Sequence, residues 1–229
     1  DFNYLIKNAE KIRGIVVTHG HEDHIGAIPY FLKEINVPIY ATKFTLGLIK
    51  HKLKEHNLLS TAILNTVAPG DFVNLGSITA EFIRTNHSIA DACAIAFHTP
   101  VGVVVHTGDF KIDTTPVTGE MIDLSRFGEL GKEGVLLLMS DSTNAERPGF
   151  TMSESTVGVS FDELFQQHRK SRIIVATFAS NIHRVQQVID AAAKYGRKVA
   201  VSGRSMENIL NVAIELGYMN LPSSDILVD

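Results

Sequence analysis

The stretch Gly14-Ile15-Val16-Val17-Thr18-His19-Gly20-His21-Glu22-Asp23-His24 decides how the rest of the chain is read. After its glycine it opens with four β-branched residues, which read as a short buried strand. That strand delivers the chain into a loop crowded with imidazoles and carboxylates. In extended backbone, residues two apart project to the same side, so His19 and His21 can share one metal ion. Asp23 and His24 follow where a helix is predicted, with Asp23 or His24 at its cap and Ile25, Ile28, Phe31, Leu32 and Ile35 at helical spacing. From there they can reach a second ion beside the first. Neutral imidazole and carboxylate together suit zinc. The spacing is not that of His-Glu-x-x-His, which sets two ligands on one helical face.

Working outward, Val37 to Ala41 reads as a strand and Phe44 to His56 as a helix with Leu46, Ile49 and Leu53 on one face. Short strands follow at Ile63 to Val67, Ile78 to Thr85, Ala92 to Phe97 and Val101 to His106, the last two joined by a turn at Thr99-Pro100-Val101-Gly102. Val135 to Met139 reads as one more buried strand, ending at Ser140-Asp141-Ser142-Thr143. Beyond Ser153 the pattern alternates: helix Glu154 to Arg169, strand Arg172 to Thr177, helix Asn181 to Tyr195, strand Lys198 to Ser202, helix Met206 to Leu216. This is the grammar of a parallel sheet. The Pro-, Gly- and Ser-rich stretch from Arg147 to Ser153 separates the two patterns, so domains are expected over 1–152 and 153–229.

The 229 residues, 45% of them hydrophobic, suffice for a buried core. No run approaches the ~18 to 20 apolar residues that span a bilayer, and no basic-then-apolar leader opens the chain. A soluble, cytoplasmic protein with no membrane partner is expected. The single cysteine, Cys93, lies in the apolar run Ala92 to Phe97 and reads as a small core residue. A net charge of −4 argues against a broad basic footprint for nucleic acid but leaves room for a local groove. Ten histidines, several beside carboxylates, demand a chemical explanation. His51, His56, His168 and His183 fall on predicted helices and read as solvated; His98 and His106 fall on strands; none of these six is assigned to a metal.

A strand followed by His-x-His-x-Asp-His resembles the signature of the metallo-β-lactamase fold superfamily. The resemblance implies an α/β fold, an αββα sandwich present here in part, and two later ligands. These match His87, in Thr85-Asn86-His87-Ser88, and Asp109, in Thr107-Gly108-Asp109-Phe110. By the same resemblance His19, His21 and His87 hold one zinc; Asp23, His24 and a bridging Asp109 hold a second; manganese is a functional substitute. Ser140-Asp141-Ser142-Thr143 is similar to the acidic motif that opens the Rossmann-like β-CASP insertion of nucleic-acid-processing members. Phe178-Ala179-Ser180-Asn181-Ile182-His183-Arg184 and Gly203-Arg204-Ser205-Met206 resemble the ribonuclease J branch. Asp23, Asp109 and Asp141 are the catalytic carboxylates this implies, with Asp141 orienting a ligand histidine or assisting proton transfer. Ser180 is a candidate contact to an RNA 5′ end.

Taken together, these resemblances imply a zinc-dependent ribonuclease that acts 5′ to 3′ on single-stranded, 5′-monophosphorylated RNA and also cuts internally, as a homodimer, a homotetramer or a member of an RNA-decay complex. They also imply strands and a glycine-rich segment ahead of Asp1, and a His-x-Ser-Gly-His-Ala type motif and a final ligand histidine after Asp229. The chain thus reads as an internal fragment. Two other classes compete: a small-molecule hydrolase of the glyoxalase II or lactonase kind, which needs no second α/β unit, and a non-catalytic scaffold, which would have lost metal ligands.

Overall fold

The computed structural model describes residues 2–117 and 119–228; Asp1 and Asp229, the outer limits of the two expected domains, lie outside the described residues. A helix α1 (Asn3–Lys7) and a 3-10 turn lead into β1 (Ile15–Val16), α2 (Glu22–Ile25), α3 (Ile28–Glu34), β2 (Ile39–Thr42), α4 (Lys43–Glu55) and β3 (Leu64–Val67). The three strands run parallel in the order β1-β2-β3, with Ile15 beside Ile39 and Ile39 beside Leu64. Helical crossovers are what parallel neighbours require. A second sheet follows, built from β4 (Phe72–Asn74), β5 (Thr79–Arg84), β6 (Cys93–Thr99) and β7 (Gly102–His106), then α5 (Leu124–Glu133) and β8 (Val135–Met139). Its order is β4-β5-β6-β7-β8, antiparallel except for β7 with β8. The predicted hairpin closes with Thr99 opposite Gly102.

The sheets stack through Val67, Val73, Phe82, Cys93 and Ile95, with Val16 and Tyr40 packed against them. Burial holds the Cys93 thiol up at about 12, so it is an inert core residue. On the outer face of the parallel sheet, Ile39 and Ala41 meet Phe31, Phe44, Ile49 and Leu53. On the outer face of the other, Ile83, Ala94 and Val105 meet Leu130 of α5. Fully burying one of the large side chains among these contributes roughly 1.5–3 kcal/mol. The layers are helix, sheet, sheet, helix, the αββα sandwich that the resemblance implies.

An ionic pin fixes α5 to its sheet. Glu81 of β5 is buried, and Arg126 of α5 donates to it from Nε at 2.6 Å and Nη2 at 3.1 Å, while His98 Nε2 lies 2.7 Å from the same carboxylate.

Residues beyond Ser153 form α6 (Ser155–Gln167), α7 (Ile182–Lys194), β9 (Val199–Ala200), α8 (Arg204–Glu215) and β10 (Leu227–Val228), with β9 and β10 parallel. Phe161, Phe165, Ala191 and Ala192 make a small local core. Ile182, Ile189, Leu210 and Ala213 instead join the core that contains Phe44 and Ile49. Contact is closest at Gly47 of α4, where an added Cβ would lie 2.8 Å from both Leu216 Cδ1 and Val212 Cγ1. Glycine there lets α8 lie directly on α4.

Several local expectations need correction. Asp23 and His24 are inside α2 rather than at its cap; His21 occupies the cap position, and the helix restarts at α3, where Pro29 sits in the first turn. Arg172 to Thr177 alternates in exposure as a strand does, with Ile174 88% exposed, but has no ladder partner among the described residues; a cavity of about 690 Å³ lies between it and Val199 to Val201. Val135 to Met139 is a strand but not a buried one. Leu136, Leu137, Leu138 and Met139 are 62%, 51%, 60% and 48% exposed, because β8 is an edge strand with only β7 beside it. Ile63 to Val67 belongs to the parallel sheet, not to the sheet of short strands that follows it. β4 and α5 carry no predicted counterpart.

Candidate metal centre

Four chain segments converge at one end of the sandwich. Val17 N–H donates to Tyr40 C=O at 3.0 Å and prolongs the β1 pairing up to His19, whose side chain is fully buried. His87 follows β5 on a loop pinned by an isolated bridge, Lys111 N–H to Asn86 C=O at 2.7 Å. Asp109 follows β7. The turn before it needs Gly108, whose φ is +59° and whose added Cβ would lie 3.0 Å from the Cys93 carbonyl oxygen and from Thr18 Cβ. Asp141 follows β8, its N–H donating to Thr107 Oγ1 at 3.0 Å.

At the point of convergence one ligand atom from each of His19, His21, His87 and Asp109 lies within 4.8 Å of all the others. His19 Nε2 and His87 Nε2 each stand 3.1 Å from His21 Nδ1. Asp109 Oδ2 is 3.8 Å from His19 Nε2 and 3.6 Å from His87 Nε2, while its Oδ1 is 3.5 Å from His24 Nε2. The carboxylate therefore faces two ways. Asp23 Oδ2 stands 3.5 Å from His24 Nε2 on the more open side.

The electrostatics of the cluster favour neutral imidazoles. Burial, reinforced by His24, His87 and His21, lowers the His19 pKa to about 2. Burial and His21 bring His87 down to about 4 against the opposing pull of Asp109 and Asp141. His21 is lowered too, chiefly by burial. Neutral imidazole nitrogens facing one another have too few protons to satisfy every lone pair, and a cation resolves that shortage. Thr18 Oγ1 lies 3.0 Å from His19 Nδ1, which leaves Nε2 turned toward the cluster. The donor set fits a divalent, nitrogen-favouring metal.

Asp141 is not among the clustered ligand atoms. Burial alone would raise its pKa, but the Thr143 amide and hydroxyl, the Phe110 amide and nearby His87 hold it below the usual carboxylate range. Thr143 N–H donates to Asp141 Oδ1 at 2.8 Å. Ser180 lies elsewhere, on the wall of a groove of about 520 Å³ whose lining runs from His21 and Glu22 to Phe178, Ser180 and Arg204. Sandwich and second substructure both line it.

Of the six histidines assigned no role, His98 is committed to Glu81 and His106 Nδ1 accepts from Gly108 N–H at 3.0 Å. His168 is exposed, whereas His183 is not solvated as expected. It is half-buried and its pKa is lowered by burial, because α7 starts at the cavity that His87, Lys111 and Glu154 also line. Two neighbours in the same motif turn out to be braces: buried Asn181 caps α7 by accepting from Arg184 N–H at 3.1 Å, and Arg184 donates to Glu154 at 2.7 and 3.0 Å.

Sequence reasoning passed over Asp91. It adopts φ +59°, and its Oδ2 accepts from Phe44 N–H at 3.2 Å and from the Tyr218 hydroxyl. Its carbonyl accepts from Thr42 Oγ1 at 3.0 Å. It thereby ties the His87 loop to α4 and to the second substructure. The one sequence signal was a carboxylate in an otherwise apolar run, Ile89-Ala90-Asp91-Ala92.

Comparison with known proteins accords with this geometry. Residues 3–119 match the family described as "Metallo-beta-lactamase superfamily", and residues 170–229 match "Ribonuclease J, beta-CASP domain". Ribonuclease J of Synechocystis sp. is 51% identical over 98% of this chain, and the chain covers 35% of that protein. Ribonuclease J of Thermus thermophilus is 47% identical over 96% of the chain and 39% of its own length. The chain thus spans about a third of the length of the curated relatives it matches. A crystal structure of a protein of unknown function from Enterococcus faecalis V583 superposes with a TM-score of 0.66 at 18% identity, covering 91% of this chain and 50% of that one, and shows a shared fold.

Proposed function

The chain belongs to the metallo-beta-lactamase superfamily, in its ribonuclease J family, and from that premise we propose that it supplies the metal-binding centre of a ribonuclease that hydrolyses single-stranded RNA. One observation supports the reading most. His21 is at once a member of the four-residue cluster and part of the wall of a groove whose other wall comes from the second substructure. A small-molecule site needs no such second wall.

In this reading His19, His21, His87 and Asp109 hold a first zinc, and Asp23, His24 and Asp109 a second, with manganese able to substitute. Bound ions of this kind lower the pKa of coordinated water and stabilise charge on the phosphoryl oxygens during in-line displacement. The protein's own residues do the rest. Asp109, facing both ways, sets the separation of the two ligand sets. Thr18 fixes the ring of His19, and Asp141 biases the orientation of His87. Ser180, beside the N-terminus of α7, contacts the RNA 5′-phosphate; backbone N–H groups at a helix start favour an anion there. A pocket fitted to one phosphate accepts 5′-monophosphate RNA and excludes the triphosphate, so degradation runs 5′ to 3′, with internal cleavage of strands that enter without their end. Among the described residues no helix is long and apolar enough to cross a membrane. We place the enzyme in the cytoplasm, as a dimer, a tetramer or part of a decay complex.

The test is direct. The metal-loaded protein is given single-stranded RNA with a 5′-monophosphate, the same RNA with a 5′-triphosphate, and a glutathione thioester. The reading calls for degradation of the first, marked slowing on the second from the end, and no turnover of the third. Fast thioester hydrolysis without RNA cleavage overturns it.

A further inference from the structure

The groove that runs from His21 to α8 holds an aromatic ring and a cation that the described residues leave uncovered and unpaired. Phe178 is 82% exposed, with no ring contact to another aromatic residue among the described residues. A phenylalanine left in water forgoes the burial that normally makes such a ring stabilising. The charges around it are largely committed. Lys52 Nζ lies 2.5 Å from Glu22 Oε1, and His51 Nδ1 lies 3.7 Å from Glu55 Oε1. Arg204 also lines the groove, is exposed, and its guanidinium makes no hydrogen bond or ion pair among the described residues. An unused ring, an uncommitted guanidinium and a metal ligand therefore share one depression.

We infer that Phe178 is a stacking platform for a base of the bound strand and that Arg204 takes a phosphate of the same strand, so that together they set how tightly single-stranded RNA is held on its way to the metal cluster. The inference rests on the nuclease reading above and deepens it. The chemistry fits a single strand because every base offers a π-face once unstacked, and each backbone step offers an anion to a guanidinium. A duplex buries its base faces and would leave the Phe178 ring uncovered. The groove also contains Asn208, whose side chain makes no hydrogen bond among the described residues and can meet a base edge or a sugar hydroxyl.

The experiment compares metal-loaded wild type with Phe178→Ala, Phe178→Trp and Arg204→Gln on single-stranded RNA, with Tyr4→Ala, an exposed aromatic outside the groove, as control. Stacking contributes roughly 1–3 kcal/mol per base, an effect of about five- to 160-fold. Phe178→Ala is expected to raise KM within that range with far less change in kcat, Phe178→Trp to restore it, and Tyr4→Ala to match wild type. Arg204→Gln is expected to flatten the salt dependence of log binding by about 0.7, the share of one phosphate on a single strand. RNA carrying 2-aminopurine adds a second readout: its fluorescence is quenched on wild type and not on Phe178→Ala. Equal KM and equal quenching for wild type and Phe178→Ala, with RNA cleaved by both, overturn the inference and leave the nuclease reading intact. Absence of RNA cleavage by the wild type itself removes both.

Discussion

Two ionisable clusters draw on the five-stranded sheet, one lying wholly on its outer side and one where it meets the end of β1, and they are built on opposite principles. Around Glu81 every charge has its complement: a buried carboxylate, a guanidinium that donates twice, and an imidazole at 2.7 Å. Around Asp109 the pattern is inverted, with three imidazole rings held neutral and turned on one another at 3.1 Å. The first cluster is complete without help and fixes a helix. The second lacks positive charge and protons, an arrangement that a bound cation would complete. Proximity of histidine and carboxylate therefore does not distinguish a brace from a catalytic centre. The distinction lies in whether the donors and acceptors already balance.

That contrast can be broken. Asp109→Ala removes the only carboxylate of the quartet and is expected to lower kcat by roughly a thousandfold, the rate equivalent of several kcal/mol of charge stabilisation, while RNA binding persists. Single-turnover kinetics beside a binding isotherm check it, and unchanged turnover takes Asp109 out of the centre. Glu81→Ala makes the opposite demand. It removes the buried partner of Arg126, which keeps Glu129 and Glu133 on its outer side, and should cost roughly 1.5–3 kcal/mol in chemical denaturation, with kcat of the folded fraction preserved. A large loss of kcat there would mean that the brace is more than a brace.

Two smaller effects sharpen the comparison. Thr18→Val keeps the shape but removes the partner of His19 Nδ1, and is expected to weaken metal affinity by roughly ten- to a hundredfold in a competition titration, with folding stability almost unchanged. An unaltered dissociation constant would show that the ring is oriented by packing alone. The clusters also differ in pH response once the metal is stripped. Below 6.5 the unfolded chain takes up protons that folded His19 and His87 refuse, so stability falls as pH drops from 6.5, by up to roughly 1.4 kcal/mol per unit for each group. Glu81, held below its ordinary 4.5 by Arg126 and His98 against the opposing effect of burial, contributes stability present above 4.5 and lost only beneath it. A denaturation midpoint that stays flat from pH 6.5 to 4.5 in the stripped protein would erase this difference.

Much of this was legible in the residues because the informative signals are local. The strand before His19, the hairpin at Thr99 to Gly102 and helices α4, α6, α7 and α8 were readable from periodicity and turn chemistry, and the geometry brings His19, His21, His87 and Asp109 together as the resemblance implied. The features that were not legible depend on neighbours. Val135 to Met139 has the composition of a central strand, yet burial is conferred by whatever covers a strand, and here one edge and much of each face stay open. Arg172 to Thr177 has strand alternation but no ladder partner among the described residues. β4 spans three residues, too few for any period to register. His183 has the look of a solvated residue on a helix, while the packing of α7 half-buries it. Asp91 showed only as a carboxylate in an apolar run, since its role lies in a positive φ and in contacts to Phe44 and Tyr218 far along the chain.

The missing side chain at Gly47 reaches further than the helix pair it joins. Helix α8 rests on α4 at that point and carries Arg204, Asn208 and Val212 along the wall of the groove. A single methyl group at position 47 would meet Val212 and Leu216 at 2.8 Å and push the wall outward, leaving the ligand set at the far end of the groove untouched. The width of the slot is thus under separate control from the chemistry at its floor. One carbon atom, on a helix that contributes no residue to the His/Asp cluster, acts as the spacer in a vice.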